Sequence, residues 1–402
     1  MTERTAPLTG VTVLEIGAFM AAPFATMQLA DLGADVIKVE HSIGGDPVRQ
    51  TGPFLGTESS PFVRINRNKR SVALDLKSPD ARRAFLRLVE RADVLVENLR
   101  PGAMGRLGLG HEALRELNPR LVYASASGWG QDGPLASLPG LDIMAQARSG
   151  LMSITGHPDS PPAKVGVPIC DLVCGLYLAL AVTAALRERD RSGAGQYIDV
   201  SLFEAGVSFA VWEAGKYFAT GEVGGPLGSA HQSQAPYQAV RSSDGYVTIG
   251  AITPRNWQAF CGALGLTELL TDPRYPDSFS RLQNRAELIE TIETVTSGRS
   301  TAEIVERLNE AGVPCAPIAD YGEVFTDAHL AVRDFFWDAA HPTVGPVRQL
   351  GSPMRLSETP VRRTAAGPVL GAHTREVLLA AGCSEPEIDH LIASGAATAD
   401  GK

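Results

Sequence analysis

Short apolar runs alternate with longer helix-like stretches along the first 130 residues of the chain. Residues 11–16 form an apolar run, small residues at 17–23 make a turn, and a helix is predicted over 24–32. Gly33 suits the end of that helix, and residues 35–40 form a second apolar run. A strand, a helix and a strand within about 30 residues predict a βαβ unit with parallel strands.

The same pattern recurs further along, with predicted strands at 71–76, 94–97 and 121–125 and helices between them. The fold class is therefore α/β, with a doubly wound parallel sheet whose ligands sit beyond the carboxyl ends of its strands. After residue 202 the pattern changes to a helical stretch, a Gly-rich stretch, a strand and then polar helices, which indicates a smaller α+β second domain. The predicted organisation is a large Rossmann-like domain at 1–205, a linker at 206–227, a small domain at 228–322, and a linker with a C-terminal return to the large domain at 323–402.

Composition narrows the class of protein. With 44% apolar and 20% charged residues the chain resembles an ordinary soluble protein, and its net charge of −9 argues against general nucleic-acid binding. The longest apolar run, 172–186, is shorter than the ~20 residues that span a bilayer, so we expect a buried core helix and no membrane partner. Five scattered cysteines favour a reducing cytoplasm, and their spacing gives no metal site.

Asp171 stands at the head of that apolar run, where the sequence predicts a helix N-cap. The carboxylate can simply cap the helix. It also has the chemistry of a covalent nucleophile, because the helix N-terminus would hold it ionised while apolar neighbours strip its hydration. The residues alone leave both interpretations open.

Sequence blocks along nearly the whole chain resemble the class III CoA transferases, also called the formyl-CoA transferase or CaiB/BaiF family. The matching blocks are 7–15, 32–40, 45–47, 68–71, 74–77, 97–102, 128–134, 193–196 and 199–202. The resemblance implies an enzyme that moves CoA between carboxylic acids, with Asp171 as the nucleophile that forms aspartyl-anhydride and aspartyl-CoA intermediates. It also implies an interlocked homodimer, with CoA as a substrate and no tightly bound cofactor.

The resemblance also implies which residues contact acyl-CoA. The adenosine and diphosphate are expected near His41, Leu74 to Lys77, Asn98 to Arg100 and Arg106, and the pantetheine and acyl group near the first strand–helix turn. Some family members have arginine in place of His41, and an oxalate-using transferase has glutamine in place of Met20, which argues against oxalate. The predicted CoA-binding set is Met20, Ala21, His41, Leu74, Lys77, Asn98, Leu99, Arg100, Arg106, Leu141 and Asp142.

Three other functions fit the sequence less well. The α-methylacyl-CoA racemases share the fold and place a histidine before the aspartate at 142, where this chain has Leu141, a side chain that cannot accept a proton. A non-catalytic CoA-binding protein would have no need of Asp171. The turn at 17–22 departs from GxGxxG, which disfavours a dehydrogenase.

Substrate and loop assignments are less specific. The blocks at 149–156 and 235–238 resemble members that use succinyl-CoA and short dicarboxylic acids. Residues 224–229 can be a linker or a lid over the nucleophile. Asp142 can orient Asp171, contact the thioester or merely start a helix, and His231 can contact the acceptor acid or simply be exposed.

Overall fold

The computed structural model describes residues 5–399. Its strands are β1 (Thr12–Ile16), β2 (Asp35–Glu40), β3 (Phe54–Leu55), β4 (Glu58–Ser59), β5 (Lys69–Leu74), β6 (Val94–Glu97), β7 (Val122–Ser127), β8 (Tyr197–Ser201), β9 (Tyr237–Arg241), β10 (Tyr246–Gly250), β11 (Cys315–Pro317), β12 (Phe336–His341), β13 (Gly345–Leu350) and β14 (Ala397–Thr398). Its helices are α1 (Ala21–Asp31), α2 (Ser60–Ile65), α3 (Pro79–Val89), α4 (Ala103–Arg106), α5 (His111–Leu117), α6 (Asp142–Arg148), α7 (Leu151–Ile154), α8 (Ile169–Ser192), α9 (Leu202–Val207), α10 (Val211–Thr220), α11 (Pro254–Leu264), α12 (Ser278–Gln283), α13 (Arg285–Thr296), α14 (Thr301–Glu310), α15 (Tyr321–Phe325), α16 (Ala328–Val332), α17 (Thr374–Ala380) and α18 (Glu385–Ala393).

A seven-stranded sheet in the order β14-β5-β2-β1-β6-β7-β8 organises the first half of the fold. Its strands are parallel except β14, which pairs with β5 in the antiparallel sense. The chain moves outward from β1 through β2 to β5, then returns to the other side of β1 and moves outward through β6 and β7. This reversal between β1 and β6 is the switch point at which doubly wound sheets bind ligands. The predicted α/β fold is confirmed.

Each face of the sheet is covered by its own apolar core. One core joins alternate strand residues such as Leu14, Leu95 and Tyr123 to helices α3, α17 and α18. The other joins the intervening residues, such as Val13 and Val94, to α1, α8 and α9. Side chains that alternate between the two faces of buried strands explain why these segments are apolar at nearly every position.

Helix α8 is longer than the apolar run from which it was predicted. It has 24 residues and contains an 18-residue window of mean hydropathy 2.1. By length and composition it could therefore cross a membrane, although the apolar run 172–186 alone is too short. Half of that window is buried within the structure, against α1, β7, β8 and α9. Those contacts are typical of a core helix.

The described chain divides into two compact units. Among the described residues, the first contains 5–152, 164–221 and 329–399, and the second contains 153–163 and 222–328. The structure differs from the predicted boundaries in three respects. The second unit spans 222–328 where 228–322 was predicted, the large unit is interrupted by 153–163, and the predicted linker at 206–227 contains the end of α9 and all of α10.

The second unit has its own core. Strands β9, β10 and β11 form an antiparallel sheet in the order β11-β10-β9, and helices α11 to α14 pack against it. Polar helix faces that surround a small sheet agree with the α+β pattern expected from the sequence.

Candidate active site

The turn between β1 and α1 lies at the switch point and is tied to the neighbouring β6 loop. Asn98 follows β6 and makes two reciprocal hydrogen bonds with Ala18, each 2.9 Å long. The sequence comparison had assigned Asn98 to CoA. Its side-chain amide is hydrogen-bonded to the switch-point turn, and its contact with CoA stays a prediction.

A buried cluster of charged residues is hydrogen-bonded to this turn. The Lys38 ammonium lies 2.6 Å from Glu15 Oε1 and 2.9 Å from Asp46 Oδ2, and it donates to the Gly17 carbonyl at 2.8 Å. The other Glu15 oxygen pairs with Lys69 at 2.8 Å. Burial opposes ionisation of Glu15, but the two lysines outweigh it and lower its pKa to about 2, while burial lowers the pKa of Lys69 to about 8.

Sequence reasoning missed this cluster, although a signal was present. Glu15 and Lys38 interrupt apolar strands that are buried on both faces, where charged residues occur only when they are paired. Asp46 also accepts a hydrogen bond from the backbone of Phe19, which adopts a positive φ of 62°. The cluster therefore stabilises a strained turn at the entrance to α1.

Helix α1 starts directly against α8. Met20 precedes the helix and Ala21 is its first residue, with Ala21 buried. A Cβ atom added to Gly175 of α8 would lie 2.8 Å from the Ala21 carbonyl oxygen, so only glycine permits this approach. Asp171 precedes Gly175 by four residues, one turn along the same face of α8, so the start of α1 lies next to the Asp171 turn.

The sequence predicts Asp171 as the N-cap of α8, and the structure shows that this is wrong. The helix begins at Ile169 with Pro168 as its N-cap, and Asp171 is the third helical residue. Pro168 has no side chain that can cap the helix. The capping group comes from another helix, because Asp142 Oδ1 accepts hydrogen bonds from the backbone amides of Cys170 at 2.9 Å and Asp171 at 3.3 Å.

Asp142 thereby combines two roles that the sequence had left as alternatives. It is the first residue of α6, and it also holds the first turn of α8. Its second oxygen accepts a 2.6 Å hydrogen bond from Gln146, a buried residue that sequence reasoning missed. Leu141, just before α6, has 65% of its surface exposed and offers no group that could act as a base.

Burial and the neighbouring carboxylate of Asp142 raise the pKa of Asp171 to about 7. The sequence predicted that the helix N-terminus would hold Asp171 ionised while apolar neighbours strip its hydration. Loss of hydration and the repulsion of Asp142 outweigh that effect. A carboxylate that is poorly hydrated and yet half ionised near neutrality is a more reactive nucleophile than an exposed one.

Four of the predicted CoA-binding residues line one cavity of about 250 Å³. These are His41, Leu74, Lys77 and Leu99, and the cavity also includes Gly17 and Ala18 of the switch-point turn. His41 lies 3.9 Å from Asp75, another lining residue. Two of its carboxylates, Glu40 and Asp46, are neutralised by Arg49 and Lys38. The rest of the lining is largely apolar with Lys77 at the exposed rim, which suits a base or ribose together with a phosphate.

Arg100 lines a different cavity, of about 530 Å³, together with residues that include Glu97, His111 and Gln131. Leu99 and Arg100 thus face separate cavities on the two sides of one loop. Arg106 lies in α4, with its guanidinium close to Gly102. The sequence predicts that Lys77, Arg100 and Arg106 contact phosphate oxygens of CoA, and the structure places Lys77 and Arg100 on different cavities.

The glycine-rich segment at 224–229 belongs to the second unit. Gly228 has a positive φ of 63° and donates a hydrogen bond to the Gly156 carbonyl at 2.8 Å. A Cβ atom there would lie 2.8 Å from the His157 ring. His231 stacks on Tyr237 with ring centroids 4.9 Å apart. Among the described residues, no group of three or more His, Cys, Asp or Glu side chains could hold a metal ion.

Residues 8–374 match the protein family described as CoA-transferase family III. The chain belongs to this family. A succinyl-CoA:glutarate CoA-transferase from Mus musculus is 38% identical over 391 residues, which cover 97% of this chain and 90% of that protein. A succinyl-CoA:mesaconate CoA-transferase from Haloarcula hispanica is also 38% identical, with 93% of this chain and 96% of that protein covered.

A solved structure of a CaiB/BaiF family protein from Brucella suis has the same fold, with a TM-score of 0.85 and 34% identity. It covers 94% of this chain and 100% of that one. The family and the enzyme class predicted from the sequence, a CoA transferase, are therefore confirmed.

Proposed function

We propose that this CoA transferase moves CoA between short dicarboxylic acids, with Asp171 as the covalent nucleophile. The observation that carries the proposal is the position of Asp171 in the capped first turn of α8, where burial and Asp142 raise its pKa to about 7. That turn lies beside the start of α1 at the switch point, where ligands of doubly wound sheets bind.

The reaction divides into exchanges that conserve charge and need no redox partner. An Asp171 oxygen attacks the thioester carbonyl, the C–S bond breaks, and CoA leaves as the thiolate while a mixed anhydride forms. The thiolate then attacks the Asp171 carbonyl carbon and releases the donor carboxylate, which gives an aspartyl-CoA thioester. The acceptor carboxylate repeats both steps in reverse order and regenerates Asp171.

CoA is proposed to place its adenosine end in the cavity lined by His41, Leu74, Lys77 and Leu99. The pantetheine arm would then pass Gly17 and Ala18 toward Met20 and the start of α8. Because every step exchanges only acyl groups, we propose that no cofactor other than CoA takes part.

The dicarboxylate preference is supported by the names of the relatives, several of which use succinyl-CoA or succinate with glutarate, mesaconate or D-citramalate. An acetyl-CoA:oxalate CoA-transferase from Acetobacter aceti is 37% identical as well. Met20 lies where an oxalate-using transferase has glutamine, so we propose an acceptor longer than oxalate.

We further propose that the protein is a homodimer. None of the ten residues of α10 is buried, and Val211, Trp212 and Phe218 expose 63–83% of their surface. Exposed apolar residues that cluster on one helix indicate a surface covered by protein. Location in the cytoplasm, and the lack of nucleic-acid and membrane partners, stay predictions from the sequence.

The decisive experiment is a panel of formyl-, acetyl- and succinyl-CoA against mono- and dicarboxylic acids, with CoA exchange followed by mass spectrometry. We expect fastest exchange between succinyl-CoA and a dicarboxylic acid of four to six carbons. Hydroxylamine added during turnover should modify Asp171, and Asp171→Ala should abolish exchange while CoA still binds. Exchange that survives in Asp171→Ala would refute the assignment of the nucleophile.

A further inference from the structure

Gln146 has no role in the chemistry described above, although it is fully buried and uses both of its amide hydrogens. Its Nε2 group donates to Asp142 Oδ2 at 2.6 Å and to the Val167 carbonyl at 3.4 Å. Its Oε1 atom accepts from the Val165 amide at 2.9 Å. A buried amide satisfied in this way holds three partners in fixed positions.

All three partners lead to the first turn of α8. Val165 and Val167 belong to the segment that enters the helix, and Asp142 accepts the amides of Cys170 and Asp171. Gln146 lies four residues after Asp142, one turn along the same face of α6. Helix α6 therefore fixes both the segment that enters α8, through Gln146, and the first turn of α8, through Asp142.

We propose that Gln146 is a positioning residue for the nucleophile Asp171, because its amide fixes the orientation of Asp142 and the entry of α8. This inference rests on the proposed function of Asp171 and extends it. With the Gln146 donor present, Asp142 keeps one oxygen directed at the two helix amides. Without it, that carboxylate loses a buried donor and is free to turn away from the two helix amides.

The charged surroundings of Asp171 make its titration a sensitive reporter of this arrangement. Asp142 is the charged group that acts on Asp171, and α1 presents uncharged residues to α8 at the point of contact. The thiols of Cys170 and Cys174 have pKa values raised by burial and stay neutral. On β8 and α9, Asp199 accepts the Gln131 amide and Glu204 accepts the Ser201 hydroxyl.

Two substitutions of similar size separate positioning from packing. Gln146→Met fills the space without hydrogen bonds, so kcat should fall about 10²-fold at every pH while KM for acyl-CoA changes little. Gln146→Glu can donate to Asp142 only while it carries a proton. At low pH its kcat should therefore stay close to that of the wild-type enzyme at the same pH. At alkaline pH its kcat should decline, whereas that of the wild-type enzyme should not.

Gln349→Met is the matched control. Gln349, in β13, is also fully buried in the first unit, and it donates to the Val63 carbonyl of α2, away from the nucleophile. This variant loses a buried amide as Gln146→Met does, but kcat and the pH profile should stay unchanged.

The titration of Asp171, followed by NMR of protein labelled at the aspartate carboxyl carbon, tests the inference without any substrate. In Gln146→Met the Asp171 signal should titrate at lower pH than in the wild-type protein. A folded Gln146→Met protein with kcat within threefold of wild type, or with an unchanged Asp171 titration, would overturn the role of Gln146. Absence of CoA transfer by the wild-type protein would instead overturn the proposed function, and the titration would still decide the role of Gln146.

Discussion

Ionisation of Asp171 should cost the folded protein stability, so that replacing the nucleophile makes the protein more stable at alkaline pH. Burial and the Asp142 carboxylate raise the pKa of Asp171 from 3.8 to about 7 in the folded state. A group whose pKa is higher in the folded state contributes stability at low pH and loses that contribution as the pH rises through the folded value. Asp171→Asn removes this dependence because the amide does not titrate.

The size of the effect follows from the shift. Each pKa unit corresponds to about 1.4 kcal/mol, and at pH 5 the folded Asp171 is protonated whereas the unfolded side chain is largely ionised. Linkage then gives Asp171 a contribution of about 2.7 kcal/mol at pH 5 that falls to about zero at pH 8.5. The free energy of unfolding of the wild-type protein should fall by that amount relative to Asp171→Asn over this range.

Urea denaturation of the two proteins at one fixed protein concentration, at pH 5, 7 and 8.5, measures this difference. Asp190→Asn on the exposed end of the same helix serves as the control, and its curve should run parallel to that of the wild type. Parallel pH dependence of the wild-type and Asp171→Asn proteins would show that Asp171 titrates in the folded protein as it does in water, and would refute the account of its reactivity.

Three further predictions concern the same site. The kcat/KM for acyl-CoA should decline as the pH falls below about 7, since Asp171 attacks as the carboxylate, and a rate that is flat down to pH 5 would contradict this. Gly175→Ala should destabilise the protein by about 1–3 kcal/mol and lower kcat, because its Cβ would lie 2.8 Å from the α1 backbone. The helix glycine Gly262 of α11, with no atom within 4 Å of its added Cβ, should tolerate alanine. Lys38→Met should cost about 3–5 kcal/mol in thermal or urea unfolding because it removes the buried cation of Asp46 and one of the two lysines that pair with Glu15, whereas Arg83→Met, at an exposed ion pair, should cost less than about 1 kcal/mol.

The sheet could be predicted from the sequence because strands buried on both faces are apolar at nearly every position. The pattern located β2 and β6 at their observed bounds and β1 within a residue, and the short connections gave their parallel arrangement. The pattern could not show that 153–163 leaves the first unit. Residues 153–163 join the second unit through contacts with residues that lie far away in sequence, and such contacts leave no local pattern.

The site was predictable to a different degree at each residue. The family motif identified Asp171, but the predicted start of α8 was wrong, because Asp171 lies three residues after the N-cap Pro168. The capping carboxylate belongs to Asp142, 29 positions earlier, and a contact so distant in sequence cannot be predicted from the local pattern. Gln146 carries no local signal, since a glutamine on a short helix is usually exposed. The division of Leu99 and Arg100 between two cavities likewise depends on the course of a loop, which periodicity does not describe.

The hydrogen bonds from α6 to the start of α8 also join the two ends of a long segment that leaves the first unit. Between Gln146 and Val165 the chain leaves the first unit, contributes residues 153–163 to the second unit and returns. Because the two ends of this long segment are fastened to each other, a change in the length or composition of 153–163 should leave the nucleophile in place. Insertions at 153–163 should therefore disturb catalysis less than changes in α6 or at the start of α8.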